Sequence, residues 1–405
     1  MKKFRDMSIQ ERREYLESLV GKQFGELETD LETMNSMIEN VVGRITLPLG
    51  VVFGNINNQD RIIFLSLEEP SVVAAANKAF KLSDGFSGEY TGSIMLGHVY
   101  IKSNPSIAKI VRDHLIDIER LAREKLRRLE KYGGGFVDLK VDDLANTRGE
   151  FTRLEFRINV GDAMGANIVN SFLEEIADDI QNIIGRRATL KILSNLSIYR
   201  RAIVRASWGD KLRADIESKG IDYQQAISDI LDVISLAQSD IYRKTTYNKG
   251  IMNGISAAAL AYGQDWRAIE AAIHTYSNYF QLSLTNFWYE DGKLHGKIEV
   301  PIAVGTVGGS IKSLNHARTL LELSSVKNSG DLAILMAAVG LANNFGANYH
   351  LAIEGIQRGH MKLHARNIAI SVGAKGEEID RIVNEMVKNN RFSYEYAKEL
   401  LREMR

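Results

Sequence analysis

The chain has 405 residues, 45% of them hydrophobic, which is enough for two or three cores and more than one domain. Lys and Arg number 51 and so do Asp and Glu, so the formal charge is zero and leaves no basic footprint for nucleic acid. Cysteine is absent, which excludes disulfides, thiol nucleophiles and cysteine-ligated metal.

The opening MKKFRDMSIQERREY turns charged where a secretory leader needs an apolar core, so a cytoplasmic protein is expected. Ser8 and Glu11 read as a capping box for an amphipathic helix closed by Gly21, a packing or dimer-contact element. IENVVGRITLPLGVVF (38–53) mixes a helix end with strand-like β-branched residues, punctuated by Gly43 and Pro48. RIIFLSLEEPSVVAAANKAF pairs an apolar strand with a small-residue helix whose first turn suits Pro70. Glu69 at that junction reads as a carboxyl kept protonated at the end of a buried strand, or more simply as a charge favouring the helix N-terminus.

From Ile94 the pattern changes to strand, long helix from Asn104-Pro105 to the glycines at 133–135, two strands, a helix from Asp162 to about Ile184, and a last strand. That β-α-β-β-α-β order predicts a ferredoxin-like unit inserted as its own domain over 94–196. In GDAMGAN, Asp162 is expected to cap the helix, and the N-terminal amides with Gly165 suit a pyrophosphate.

SIYRRAIVRASWG reads as a strand and DYQQAISDILDVISLAQSD as a helix. Next comes IYRKTTYNKGIMNGISAAALAYGQDWRAIEAA (241–272), whose small side chains predict a buried helix with Lys249 at its mouth and Asp265 beyond its far end. A solvated Lys and a helix-capping Asp would account for that pair more simply, since most ionisable residues stay at the surface. A hairpin is expected around Asp291-Gly292, delivering GTVGGS, where glycines let backbone lie against a ligand or simply make a tight turn. The apolar run LAILMAAVGLA (332–342) is too short to span a bilayer and reads as a buried helix. In GIQRGHMKLHARN, His360 and His364 lie four apart, but no Glu or Cys ligand accompanies them, so no metal is expected; two amphipathic helices close the chain.

NKGIMNG and GQDWRA, with EEPSVVAAA, DAMGAN, GTVGGS and GIQRGHMKLHARN in this order, resemble the soluble second class of 3-hydroxy-3-methylglutaryl-coenzyme A (HMG-CoA) reductases. The resemblance runs from about Ile38 to the C-terminus. It implies an α+β enzyme with a helix-rich substrate-binding domain (1–93 and 197–354), an inserted dinucleotide-binding domain (94–196) and a C-terminal helical flap (355–405). It implies four-electron reduction of HMG-CoA to mevalonate and CoA by two NAD(P)H, without metal, in either direction. Glu69, Lys249, Asp265 and His360 would be catalytic, and Arg243, Ser71, Asn195 and Asn253 would bind substrate. Asp162, Met164, Gly165, Asn167, Gly305, Gly308 and Gly309 would hold the dinucleotide. Leu126 occupies the position where NADH-preferring relatives would place an Asp, with Arg123, Lys125, Arg127 and Arg128 around it, a tilt to NADPH. The family also implies a homodimer with interfacial active sites, with a higher oligomer of dimers open, and neither membrane nor nucleic acid as partner. The alternatives are another NAD(P)-dependent oxidoreductase, or a non-catalytic nucleic-acid or regulatory binding protein built on the ferredoxin-like unit.

Overall fold

The computed structural model describes residues 3–25, 27–280, 283–354 and 365–405. Ser8 accepts from the Glu11 amide and Glu11 from the Ser8 amide, completing the box that starts α1 (Ile9–Val20); Gly21 closes it at φ +69°. After α2 (Leu31–Met37), β1 (Leu49–Ile56) and β2 (Gln59–Ser66) form a hairpin whose turn residues Asn57 and Asn58 both take positive φ. α3 (Pro70–Leu82), β3 (Gly85–Tyr90) and β4 (Ile94–Lys102) follow. The long helix expected after Asn104 is two helices, α4 (Pro105–Asp113) and α5 (Leu115–Leu126). Its break is at His114, where φ −105° and ψ 15° interrupt the helical hydrogen-bond ladder.

β5 (Gly135–Asn146), β6 (Gly149–Asn159), α6 (Ala166–Ile184) and β7 (Leu190–Ser194) come next, and β8 (Arg201–Trp208) begins the return to the first sheet. α7 (Asp210–Glu217), α8 (Tyr223–Ser239), α9 (Ile241–Ala261) and α10 (Trp266–Tyr279) are followed by β9 (Thr285–Glu290) and β10 (Lys293–Pro301). Asp291 and Gly292 turn that last hairpin at φ +49° and +78°, as their residue types predict. α11 (Asn315–Leu323) and α12 (Ser329–Tyr349) complete the main body.

The strands make a six-stranded sheet, β2-β1-β3-β8-β10-β9, and a four-stranded antiparallel sheet, β5-β6-β4-β7. Each has its own apolar cluster, and a third joins residues 365–405 around Ile382, Met386 and Leu401. The first cluster is organised on α12. Its apolar run 332–342 is buried as expected, but the helix extends well beyond that run and is long and apolar enough to cross a membrane, with nearly all of it buried inside the protein. Trp208 stacks on Phe345 of α12 at 4.1 Å, and a Cβ on Gly254 of α9 would fall 2.6 Å from Val339 and Asn343. Only glycine lets α9 approach α12 that closely.

α9 is tied to α10 by polar contacts as well. Ser256 Oγ donates to Glu270, whose other oxygen meets His274 Nε2 at 3.0 Å. Burial pushes the Glu270 carboxyl up, but its bonds to His274 and Ser256 outweigh that and hold it below its ordinary range. The same bond to Glu270 lifts His274 above its ordinary value, against burial. His274 therefore contributes stability that is full below its unfolded value and is lost as pH rises through the raised one; Glu270 contributes above its unfolded value and loses it as pH falls through the lowered one. His274→Gln is expected to lower the melting temperature between those limits and to converge on the parent at alkaline pH. A deficit constant across thermal melts from acid to alkaline pH would contradict this.

Candidate active site

Lys249 lies in the middle of α9, eight residues past its first, and not at a helix mouth. Its neighbours Tyr247, Asn248, Ile251 and Met252 are buried, so the 100° step per residue turns Lys249 outward, and it is exposed. Asn253, Ser256 and Leu260 continue the same outward stripe at i+4, i+7 and i+11. Among the described residues Lys249 has no ion-pair partner. Arg243 is half-buried; its Nη2 donates to Asn348 at 3.0 Å and its guanidinium lies over Tyr247.

Glu69 does not end a buried strand. β2 stops at Ser66, and Glu69 is exposed, capping α3 by accepting from the Ser71 amide at 3.1 Å. Ser71 is half-buried as the second residue of α3, a helix held against α12 where a Cβ on Gly346 would meet Ala75 at 3.0 Å. α3 and α9 thus both pack on α12.

Asp265 sits elsewhere. It caps α10 by accepting from the Ala268 amide at 3.1 Å, and Arg267 lies 3.5 Å from it. Twelve residues of α9 separate Lys249 from Ala261, a rise of about 18 Å, so one chain keeps Lys249 and Asp265 apart. Asn195 is exposed just past β7, and His360 lies outside the described residues. A cleft of about 840 Å³ lined by Tyr15, Phe53, Arg61, Asn77 and Lys81 includes none of these residues.

The two glycine-rich segments, 140 residues apart in sequence, do meet. Ala163 bridges Val307, Thr306 donates to the Asp162 carbonyl at 2.9 Å, and a Cβ on Gly305 would come 2.4 Å from Met164 N. Gly165 caps α6 at φ +102°, without any side-chain cap. Asp162 does not cap α6 as expected; its carboxylate accepts from the Ser329 amide at the start of α12, 2.9 Å away. Among the described residues the α6 N-terminus has no side-chain cap, which leaves its amides and positive dipole end as a setting for an anion. Asn167 stands in its first turn, and Gly308 takes φ +78° in the facing segment beside Gly309. Near α5, Leu126 is buried in the small-sheet core, Lys125 pairs with Asp179 at 2.8 Å, and Arg127 and Arg128 are exposed.

Two further residues hold these segments and were not singled out from sequence. Gln264, beside Asp265, accepts from the Gly305 amide at 2.9 Å, tying the α9–α10 turn to the glycine loop. Arg200 is fully buried beneath both loops and donates to the carbonyls of Ala163, Met164 and Val304. Its place at the start of a strand in SIYRRAIVR gave no sign of burial.

The sequence model of hydroxymethylglutaryl-coenzyme A reductases matches residues 8–365. The 3-hydroxy-3-methylglutaryl-coenzyme A reductase of Archaeoglobus fulgidus is 39% identical over 99% of this chain and 94% of its own. A probable reductase of the same kind from Borreliella burgdorferi is 33% identical over 100% and 95%. The Streptococcus pneumoniae enzyme superposes with a TM-score of 0.79 at 29% identity, covering 99% of each chain. A class II form of it solved bound to NADPH in open conformations gives 0.77 at 29%, over 98% of this chain and 100% of that one. Fold, paired loops and relatives together define a mixed α/β oxidoreductase using NAD(P)H. The chain belongs to the hydroxymethylglutaryl-coenzyme A reductase family, and its activity is reduction of HMG-CoA. These matches do not favour a nucleic-acid or regulatory module.

Proposed function

We propose that the chain reduces HMG-CoA to mevalonate and CoA in a site completed only when two copies pair. The observation that carries this is the placement of Lys249 and Asp265: Lys249 stands outward in the middle of α9 and Asp265 caps α10 beyond that helix's end, the rise from Lys249 to Ala261 alone being about 18 Å, so one copy's Lys249 can meet only the other's Asp265. The exposed apolar residues Met37, Ile38, Val42, Ile45 and Leu47 support pairing, since a surface of that kind is one a partner covers.

Two dinucleotides, bound in turn, would each supply one hydride per turnover. Lys249 stabilises the oxyanion that develops on the thioester carbonyl, and Asp265 of the partner subunit holds its ammonium group in place. His360 protonates the departing CoA thiolate when the hemithioacetal collapses, a task fitted to an imidazole. Glu69, buried by pairing, gives its proton to the aldehyde oxygen in the second reduction. Arg243 takes the free carboxylate of the glutaryl group, with Ser71, Asn195 and Asn253 around it.

The strand order β5-β6-β4-β7 with two helical crossovers supports a ferredoxin-like insert over 94–196, between large-domain parts 1–93 and 197–354. The separate cluster in residues 365–405 supports a flap over 355–405 that closes on bound substrate. Asp162, by its grip on α12, positions the loop in which Met164, Gly165, Asn167, Gly305, Gly308 and Gly309 receive the dinucleotide. Exposed Arg127 and Arg128 and the burial of Leu126 support NADPH as the preferred reductant. A cytoplasmic location fits the burial of the one described helix long and apolar enough to cross a membrane.

The test is HMG-CoA-dependent oxidation of NADPH and NADH, and absence of turnover with both would refute the proposal. His360→Ala is expected to cut thioester reduction by about 10²-fold or more while sparing reduction of free mevaldehyde. Equal losses in the two assays would remove thiolate protonation from its role.

A further inference from the structure

Two arginines are buried in the described structure, and they differ in their counter-charges. Arg61 is held by both oxygens of Asp331 at 2.9 and 2.8 Å. Arg200, at 0% exposure, has only neutral partners: Nε donates to the Tyr90 hydroxyl at 2.8 Å and Nη1 to Met164 O at 2.8 Å and Ala163 O at 3.3 Å. Nη2 donates to Val304 O at 2.8 Å. No carboxylate among the described residues makes an ion pair with it. Asp162, one residue from an Arg200 partner, is engaged by the α12 amide of Ser329.

A buried guanidinium with no counter-ion is costly and is ordinarily paired. Its position explains why it is tolerated. A trans peptide points its N–H opposite to its C=O, so drawing the Ala163 and Met164 carbonyls toward Arg200 aims the Met164 and Gly165 amides away from it. Neither amide has an acceptor among the described residues, and they adjoin the uncapped N-terminus of α6. Positive charge below, free amides above and a helix dipole beside them all call for the same occupant.

We propose that Arg200 is the buried counter-charge of the cofactor's pyrophosphate, a positioning residue that acts through the Ala163–Gly165 backbone without touching the ligand. The inference rests on the reading of these loops as the dinucleotide site. It predicts that the site takes pyrophosphate-bearing ligands generally, with inorganic pyrophosphate competing for it.

The experiment measures NADPH binding by its fluorescence, and HMG-CoA binding separately by calorimetry, in the full chain. Arg200→Met is expected to weaken NADPH and pyrophosphate by about 10- to 100-fold, the worth of a charged hydrogen-bonding group, and to leave HMG-CoA within about threefold. Arg200→Lys, keeping the charge, should recover most of the affinity. Asn167→Asp, which adds a negative charge to the first turn of α6, should also weaken NADPH.

Equal losses of NADPH and HMG-CoA in Arg200→Met would make Arg200 a structural joint only and overturn the proposal. So would a Lys variant that binds NADPH as poorly as Met. If Met does not fold, Lys decides: retained affinity supports the charge role and a loss beyond about tenfold ends it. Unchanged NADPH binding in Asn167→Asp overturns the loop reading itself, whereas loss there with none in Arg200→Met overturns Arg200 alone.

Discussion

Lys249→Ala is expected to abolish both reductions, lowering kcat by about 10³-fold or more with HMG-CoA and also with mevaldehyde. The side chain stands outward from a helix whose other faces are buried, so its removal opens no cavity and the fold should persist. HMG-CoA affinity, measured by calorimetry on the variant, should change far less than kcat, because the ammonium group is used for charge that exists only in the transition state. Retained turnover in either assay would take Lys249 out of the chemistry.

The second large effect is a recovery of activity. Lys249→Ala and Asp265→Asn should each be inactive as homodimers, yet subunits of the two, mixed and allowed to exchange, should regain activity. If a site joins Lys249 of one subunit to Asp265 of the other, each mixed dimer holds one doubly damaged and one intact site, giving about a quarter of the parent activity at equal mixing. A site built within one chain would leave every site with one lesion and recover nothing. Lack of recovery, with subunit exchange shown by tagged copies, would sink the two-copy reading while leaving the Lys249 prediction standing. The rise of about 18 Å between Lys249 and the end of α9 is the reason to expect complementation.

Local chemistry was readable wherever its cause lies within a few residues. The Ser8–Glu11 box, the Asp291-Gly292 turn and the order of elements from Ile94 to Ser194 depend on neighbouring donors, on positive φ and on periodicity. The candidate site was legible as residue types, because the family motifs are contiguous, but its geometry was not. Of the two readings of Glu69, the end of a buried strand gives way to the simpler one, an exposed carboxylate at the N-terminus of α3; Asp162 was expected to cap α6 and serves α12. In both cases the carboxylate's partner depends on which amides the fold brings near, and for Asp162 that amide is 167 residues away. The break at His114 was missed for a related reason, since apolar spacing continues smoothly across it.

By itself the amino-acid order determined which segments become helix or strand, which glycines must stay glycine, and which chemistry-bearing side chains are available. Those are short-range matters of sterics, capping and pattern. Only the tertiary structure decided that α12 stacks on Trp208 and receives Gly254 of α9, that Gln264 ties the α9–α10 turn to Gly305, and that Arg200 lies dry beneath two loops. It also decided that α9 carries Lys249 outward and that Asp265 lies at a different level, capping α10. Burial and charge pairing are set by groups distant in the chain, and their free energies exist only once those groups are packed together.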